Sequence, residues 1–85
     1  MTNKNGEDHI NTDDRARELG VALRRVRRRR GQSQEQVALN AGISTHTYGC
    51  LERGKSPSGG SANPTFGTLI RVFEALGIDP PSLGN

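Results

Sequence analysis

Apolar residues recur along this chain at steps of three and four, the spacing that places them on one face of an α-helix. The two clearest stripes consist of Ala16, Leu19, Leu23 and Val26, and of Phe66, Leu69, Ile70, Phe73 and Leu76. No segment alternates between apolar and polar residues as a half-buried strand does. The pattern therefore predicts an all-α domain.

Capping residues divide the chain into short predicted helices. Ser33 stands three residues before Gln36, which is the pattern of a capping box, and Ser44 and Thr65 are expected to begin two further helices. Glycines that can end a helix in a left-handed conformation follow each predicted helix, at Gly31, Gly42, Gly54 and Gly77. These signals predict four helices, and residues 80–83 allow one further short turn at most.

Two segments lack this helical pattern. Residues 1–12 have no apolar periodicity and are rich in Asn, Asp and Gly, so we expect a disordered tail there. The first helix is expected to begin near Asp13 or Asp14, because carboxylates favour the positive end of a helix dipole. Residues 55–63, rich in Ser, Gly and Pro, predict a flexible loop. The folded domain is thus predicted to span residues 13–85.

A small apolar content limits the chain to one small domain. Leu, Ile, Val and Phe supply 17 of the 85 residues, close to the proportion below which chains stay unfolded. Sixteen of them lie between Leu19 and Leu83, so the predicted helical region is apolar enough to fold. A chain of this length leaves no room for separate substrate-binding and catalytic halves, so we do not expect an enzyme.

The net charge of +3 conceals a strong partition along the chain. Residues 1–14 sum to −3, residues 15–30 to +7, and residues 31–85 to −1. Arginines concentrated in one block favour a polyanionic partner, although a localisation signal or a solvated helix face would have the same composition.

Neither a membrane span nor a secretory signal is predicted. No apolar run approaches the roughly 18 residues needed to cross a bilayer, and the polar N-terminal segment has no apolar signal region. We therefore expect a cytoplasmic protein without membrane contact.

Metal and thiol chemistry have little support in the sequence. The single Cys50 excludes an internal disulfide framework and is compatible with a reducing cytoplasm. His46 and Cys50 are four residues apart, the spacing of zinc ligands or of a thiol beside an imidazole. Two ligands do not make a site and His9 lies in the predicted tail, so we expect no metal and no cofactor.

The second and third predicted helices are short and are joined by the dipeptide Gly42-Ile43. This arrangement matches the helix-turn-helix, in which the second helix lays its N-terminal side chains into the major groove of DNA.

The chain resembles the Xre family of lambda-repressor/Cro-type DNA-binding domains over roughly Leu19 to Leu83. The resemblance is carried by Leu19-Gly20, Arg27, Gly31-Gln32-Ser33-Gln34-Glu35, Ala41-Gly42-Ile43-Ser44, Glu52-Arg53-Gly54, and Pro64-Thr65-Phe66-Gly67-Thr68-Leu69 with Ala75-Leu76-Gly77. It implies a compact lambda-repressor-like domain of four to five helices. It also implies a sequence-specific transcriptional regulator, commonly a dimeric repressor, that binds a double-stranded DNA operator.

By this resemblance, residues 44–53 form the recognition helix in the major groove. Its base-reading residues are expected to be Thr45, His46, Gly49 and Cys50, with Thr45 and His46 the first choice. Threonine can donate or accept a hydrogen bond and offers a methyl group to thymine, and a neutral histidine can approach base edges.

Other residues of the resemblance are expected to position the protein. Gln34 matches the family residue that meets a phosphate beside the free amides of a helix N-terminus. The expected phosphate contacts are Ser33, Gln34, Ser44, Thr47, Arg53, Lys55 and Arg28. The resemblance also implies that Arg27 and Glu52 form a structural ion pair between the first and third helices.

Three features depart from the family pattern. Gln32 stands where the family has an apolar residue. Gly49 lies inside the predicted recognition helix, where glycine costs about 1 kcal/mol relative to alanine, and we interpret it as a place of close approach to DNA. Nine residues separate Gly54 from Pro64, and this insertion could contact DNA, contact a dimer partner or contact nothing.

Two other classes of function remain alternatives. One is an antitoxin-like or accessory interaction module, in which residues 1–14 would bind a small protein partner. The other is a metal or redox sensor, in which oxidation of an exposed Cys50 would switch off DNA binding. A regulator could act as a homodimer, a DNA-induced dimer or a monomer. A dimer would use the fourth helix, the C-terminal residues or the inserted loop.

Overall fold

A computed structural model describes residues 12–78 of the chain. Four helices lie in this range, α1 (Thr12–Arg29), α2 (Gln34–Ala41), α3 (Thr45–Glu52) and α4 (Phe66–Ala75). The predicted all-α fold is confirmed, with α1 beginning at Thr12, one residue before the expected boundary. The predicted tail before Thr12 and the further turn at residues 80–83 lie outside the described residues.

The predicted caps form as expected. The Ser33 hydroxyl accepts a hydrogen bond from the Gln36 amide at 3.0 Å, and the Gln36 side chain accepts one from the Ser33 amide at 2.8 Å. The Ser44 and Thr65 hydroxyls likewise accept bonds from amides in the first turns of α3 and α4, at 3.0 and 3.1 Å. The predicted stop glycines all have positive φ angles, at Gly31, Gly42, Gly54 and Gly77. Local sequence therefore determines the helix ends.

The hydrophobic core lies where α2 packs against α3 and α4. Its buried members are Leu23, Val37, Ala38, Ala41, Tyr48, Leu51, Val72 and Leu76. α1 contributes Leu23 to this core and packs along α3. Residues 48–52 of α3 are buried between α1 and α2, whereas Thr45 and His46 in its N-terminal turn are exposed.

Gly20 brings the backbone of α1 against the end of α3. A Cβ on Gly20 would lie 2.4 Å from the Glu52 carbonyl oxygen and 2.5 Å from that of Leu51, closer than any real Cβ contact. A residue with a side chain could not occupy this position without separating the two helices. The approach of these backbones determines where α3 sits relative to α1.

Gln32 forms a polar link to α4 where the family pattern has an apolar residue. Its Nε2 donates a 3.0 Å hydrogen bond to the carbonyl of Ala75, in the last turn of α4. Its Oε1 is buried and has no hydrogen-bond partner among the described residues. The half-buried amide thus satisfies a helix-end carbonyl instead of filling space with methyl groups.

The inserted segment at residues 55–63, for which composition predicts a flexible loop, contains backbone pairing. An antiparallel bridge pairs Lys55 with Ser61. Inside it, the Ser56 amide donates a 2.7 Å hydrogen bond to the Gly60 carbonyl. These backbone bonds, which composition does not reveal, close the segment into a small hairpin.

Contacts at both ends fasten this hairpin to the domain. The Ser61 hydroxyl donates to the Asp13 carboxylate in the first turn of α1, and the Ala62 amide donates to the Gly54 carbonyl at 3.0 Å. Gly54 itself has φ of 72°, and a Cβ there would lie 2.9 Å from the Cα of Arg17. The segment that follows α3 is therefore held against the N-terminal half of α1.

Candidate nucleic-acid interface

Arg27 of α1 and Glu52 of α3 form a bidentate ion pair. Arg27 Nε donates to Glu52 Oε2 at 2.5 Å, and Arg27 Nη2 donates to Glu52 Oε1 at 3.1 Å. The side chains are 12% and 2% exposed, so solvent screens the pair little. The remaining guanidinium nitrogen, Arg27 Nη1, donates to the Gln32 carbonyl at 3.0 Å. The structure thus brings together the two residues that the family resemblance paired.

Gln34, the first residue of α2, joins the same carboxylate. Its Nε2 donates a 2.9 Å hydrogen bond to Glu52 Oε1. Glu52 therefore connects α1, the N-terminus of α2 and the C-terminus of α3 through one buried side chain. This connection orients the two helices of the predicted helix-turn-helix relative to each other.

The electrostatics of this cluster keep Glu52 ionised. Burial alone would raise the pKa of Glu52, but the hydrogen bonds from Arg27 and Gln34 outweigh it and lower the pKa below its ordinary value. The buried Tyr48 lies beside the carboxylate, and burial together with the negative charge of Glu52 raises the pKa of its phenol. The cluster consequently carries a carboxylate and a guanidinium that are both charged near neutral pH.

The N-terminal turn of α3 presents the two residues that were the first choice for reading bases. Thr45 and His46 are both exposed. Ser44 and Thr47, two of the expected phosphate contacts, cap this turn: the Ser44 hydroxyl donates to the Thr47 hydroxyl at 2.8 Å and accepts from the Thr47 amide at 3.0 Å. Their side chains hold the turn in place whether or not they touch a phosphate.

Gly49 and Cys50, which the resemblance assigns to base reading, are buried and do not face solvent. Cys50 is 4% exposed, because its Sγ lies 3.7 Å from His46 Nε2 on one side and accepts from Arg53 Nη2 at 3.4 Å on the other. Gly49 is buried under the side chains of Gln34 and Arg53. The exposed thiol required by the redox-sensor hypothesis is therefore not present.

His46 and Cys50 do approach each other, as their spacing suggested. Within residues 12–78, however, no group of three or more His, Cys, Asp or Glu side chains is placed to hold a metal ion.

None of the helices in this range is long and apolar enough to cross a membrane.

The remaining expected phosphate contacts have different surroundings. Ser33 is exposed, but its hydroxyl is occupied by the capping box of α2. Gln34 is half-buried, whereas Arg53 and Lys55 are exposed at and just beyond the end of α3. Arg28 lies on the outer face of α1, where it lines a shallow depression with other α1 residues.

The arginine block of α1 does not form one uniform basic stripe. Arg27 points inward to Glu52, whereas Arg17 pairs with Asp14 and Arg15 pairs with Glu18 at the surface. Arg24, Arg25 and Arg28 are exposed and line the same outer depression beside Val21. Only part of the +7 charge of residues 15–30 is thus free of intramolecular acidic partners in the described structure.

Two features that organise this interface were not predicted from the sequence. Gly20 was noted only as part of a motif, although a glycine inside a helix is a recognised sign of close backbone approach. The bond from Gln34 to Glu52 had no sequence signal, because 18 residues separate the two and neither position follows a local rule.

Comparison with known proteins places this geometry in a family. A family model described as a helix-turn-helix domain matches residues 18–83. An uncharacterized HTH-type transcriptional regulator of Sinorhizobium fredii, y4dJ, is 37% identical over 60 residues, which are 71% of this chain and 70% of that protein.

A solved structure has the same fold. The crystal structure of C.AhdI, a restriction-modification controller protein from Aeromonas hydrophila, matches with a TM-score of 0.67 and 27% identity, over 78% of this chain and 91% of that chain. Together with the capped α2–α3 pair, these matches confirm the resemblance indicated by the sequence motifs: the chain belongs to the helix-turn-helix domain family.

Proposed function

We propose that this protein is a sequence-specific regulator of transcription that binds double-stranded DNA with α3 in the major groove. The observation that carries the proposal is the exposed N-terminal turn of α3, with Thr45 and His46, held beside the N-terminus of α2 by the bond between Gln34 and Glu52. A recognition helix reads bases with residues of this turn, while the preceding helix meets the DNA backbone.

The side chains of α3 suit contact with bases, and the N-terminus of α2 suits contact with the DNA backbone. Thr45 and His46 offer hydrogen-bond donors and acceptors to base edges, and Thr45 adds a methyl group for thymine. The free amides in the first turn of α2 and the adjacent Gln34 suit a phosphate, which would position the protein without specifying sequence. Exposed Arg28 and Lys55 extend this electrostatic contact.

The named relatives support regulation rather than catalysis. The S. fredii protein is named a transcriptional regulator and C.AhdI a controller protein. The protein would therefore act by occupying its operator, as a repressor does, in the cytoplasm where the DNA lies.

We also propose that the protein binds as a homodimer. Helix-turn-helix dimers place their recognition helices one helical turn of DNA apart, about 34 Å. The first turn of α4 presents Phe66, which is 64% exposed, as an apolar side chain that a second copy could cover.

The experiment that tests the function is selection of bound sequences from a random double-stranded DNA pool at a fixed salt concentration. The expected result is a two-fold symmetric motif with half-sites one helical turn apart. Enrichment of a single half-site would support DNA reading but contradict the dimer. Absence of any enrichment would contradict the function and favour the protein-interaction module.

A further inference from the structure

Gly49 and Cys50, in the centre of α3, are covered by the side chains of neighbouring residues. A Cβ on Gly49 would lie 3.5 Å from Arg53 Nη1 and 3.5 Å from Gln34 Oε1, so both side chains extend over the glycine. Cys50 lies beside it, with its Sγ between His46 and Arg53. Gly49 and Cys50, which were expected to read bases, instead lie beneath the side chains of Gln34, His46 and Arg53.

Arg53 is the cap residue of α3, but its side chain turns back along the helix. Its backbone amide donates to the carbonyls of Gly49 and Cys50, and its guanidinium Nη2 reaches the Cys50 sulfur at 3.4 Å. His46, Cys50 and Arg53 follow one another at steps of four and three residues, so they lie on one stripe of α3. Because the side chain turns back, the guanidinium lies beside Gly49 and Cys50, on the same stripe as His46 and about one helical turn from it.

The Arg53 guanidinium also has a weaker partner than two other arginines of the domain. Arg27 is bound to Glu52, and Arg71 donates to the carbonyl of Ala41 at 3.1 Å. Within residues 12–78, no carboxylate forms an ion pair with Arg53, and its partner is a thiol, which is a weak acceptor. Exchanging that contact for a stronger acceptor would cost little.

We propose that Arg53 is a specificity-determining residue that reads a guanine in the major groove, with Gly49 providing the space in which its side chain lies. This inference rests on the proposed function and changes the role of Arg53 from the phosphate contact expected from the resemblance. A guanidinium forms two parallel hydrogen bonds to the O6 and N7 atoms of guanine, and the pairing discriminates against other bases. A lysine retains the charge but not the planar fork.

The test is the same sequence selection carried out on the wild-type chain and on Arg53→Lys. We expect the wild-type motif to contain a guanine at one position of each half-site, and Arg53→Lys to reduce preference for that guanine roughly tenfold or more, with the other positions unchanged. Lys55→Ala is the matched control, since it removes an exposed cation two residues away and is expected to weaken binding to all sequences alike.

The outcomes separate the inference from the function on which it rests. If Arg53→Lys retains the wild-type motif and only binds more weakly, Arg53 contacts phosphate and the inference is overturned, while the proposed function stands. If the wild-type chain enriches no motif, both are overturned. Thermal unfolding of Arg53→Lys, expected to match the wild type, shows whether a lost preference comes from the interface and not from unfolding.

Discussion

The side-chain amide of Gln34 donates a 2.9 Å hydrogen bond to Glu52, so the first residue of α2 is fastened to the last residue of α3. Because the same carboxylate holds Arg27 of α1, one buried acid joins three helices. The residues with which a helix-turn-helix meets the DNA backbone and the bases are therefore positioned by a single cluster, and the first two predictions concern its stability.

Removing the acid is expected to destabilise the whole domain. In Glu52→Ala the Arg27 side chain, 12% exposed, would lose its partner, and an unpaired buried charge typically costs about 3–5 kcal/mol. Urea unfolding followed by circular dichroism measures the change. Glu18→Ala is the control, because its pair with Arg15 is exposed and is expected to contribute little. Equal losses in the two variants would contradict a special role for Glu52.

The same cluster predicts how stability depends on pH. The pKa of Glu52 is lowered from its ordinary value of 4.5, so the folded state binds this proton less readily than the unfolded state. Its contribution to stability is complete above pH 4.5 and is lost as pH falls below that value through the folded-state pKa. Arg27 stays charged over this range.

Urea unfolding between pH 7 and pH 3 tests this dependence. The wild-type free energy of unfolding is expected to fall more steeply below pH 4.5 than that of Glu52→Gln, which has no carboxyl group to protonate at this position. Parallel curves would mean that the surface carboxylates account for the acid sensitivity.

Two glycines inside helices are expected to respond oppositely to alanine. Gly20→Ala would press a methyl group against the Glu52 and Leu51 carbonyl oxygens, at 2.4 and 2.5 Å before adjustment, and is expected to cost about 1–3 kcal/mol. Gly49→Ala meets its nearest neighbours at 3.5 Å, an ordinary contact, and is expected to stabilise α3 by about 1 kcal/mol. Melting temperatures of the two variants check the signs, and destabilisation by both would contradict the expectation that a methyl group fits at Gly49.

His46 and Gln34 are expected to differ in how their loss affects DNA binding. His46→Ala should reduce discrimination at one base position by roughly five-fold or more, because an edge contact is lost. Gln34→Ala should weaken specific and random duplexes to a similar degree, since a phosphate contact contains no sequence information and Arg27 still holds both oxygens of Glu52 in this variant.

Binding of each variant to the selected motif and to random duplex measures this difference at one salt concentration. Asn40→Ala, an exposed change on the same helix as Gln34, serves as the control for α2. Equal losses by the His46 and Gln34 variants on both kinds of DNA would contradict the division between reading and positioning.

Helix boundaries were predictable because their signals are local. Ser33, Ser44 and Thr65 each bond an amide three residues away, and Gly42 adopts the left-handed conformation that ends α2. These interactions depend on a few neighbouring residues, so sequence order is enough to reveal them. The family motifs extended the prediction to the Arg27–Glu52 pair, which no local rule would have suggested.

The sequence by itself determined the helices, their caps and the family. Tertiary structure decided which residues of α3 are exposed. Gly49 and Cys50 were expected to read bases, but the side chains of His46, Gln34 and Arg53 cover them. It also closed the segment at residues 55–63 against α1. Exposure and loop closure depend on groups brought together from distant parts of the chain. Helical periodicity predicts which face a residue lies on, but not which distant side chain covers it.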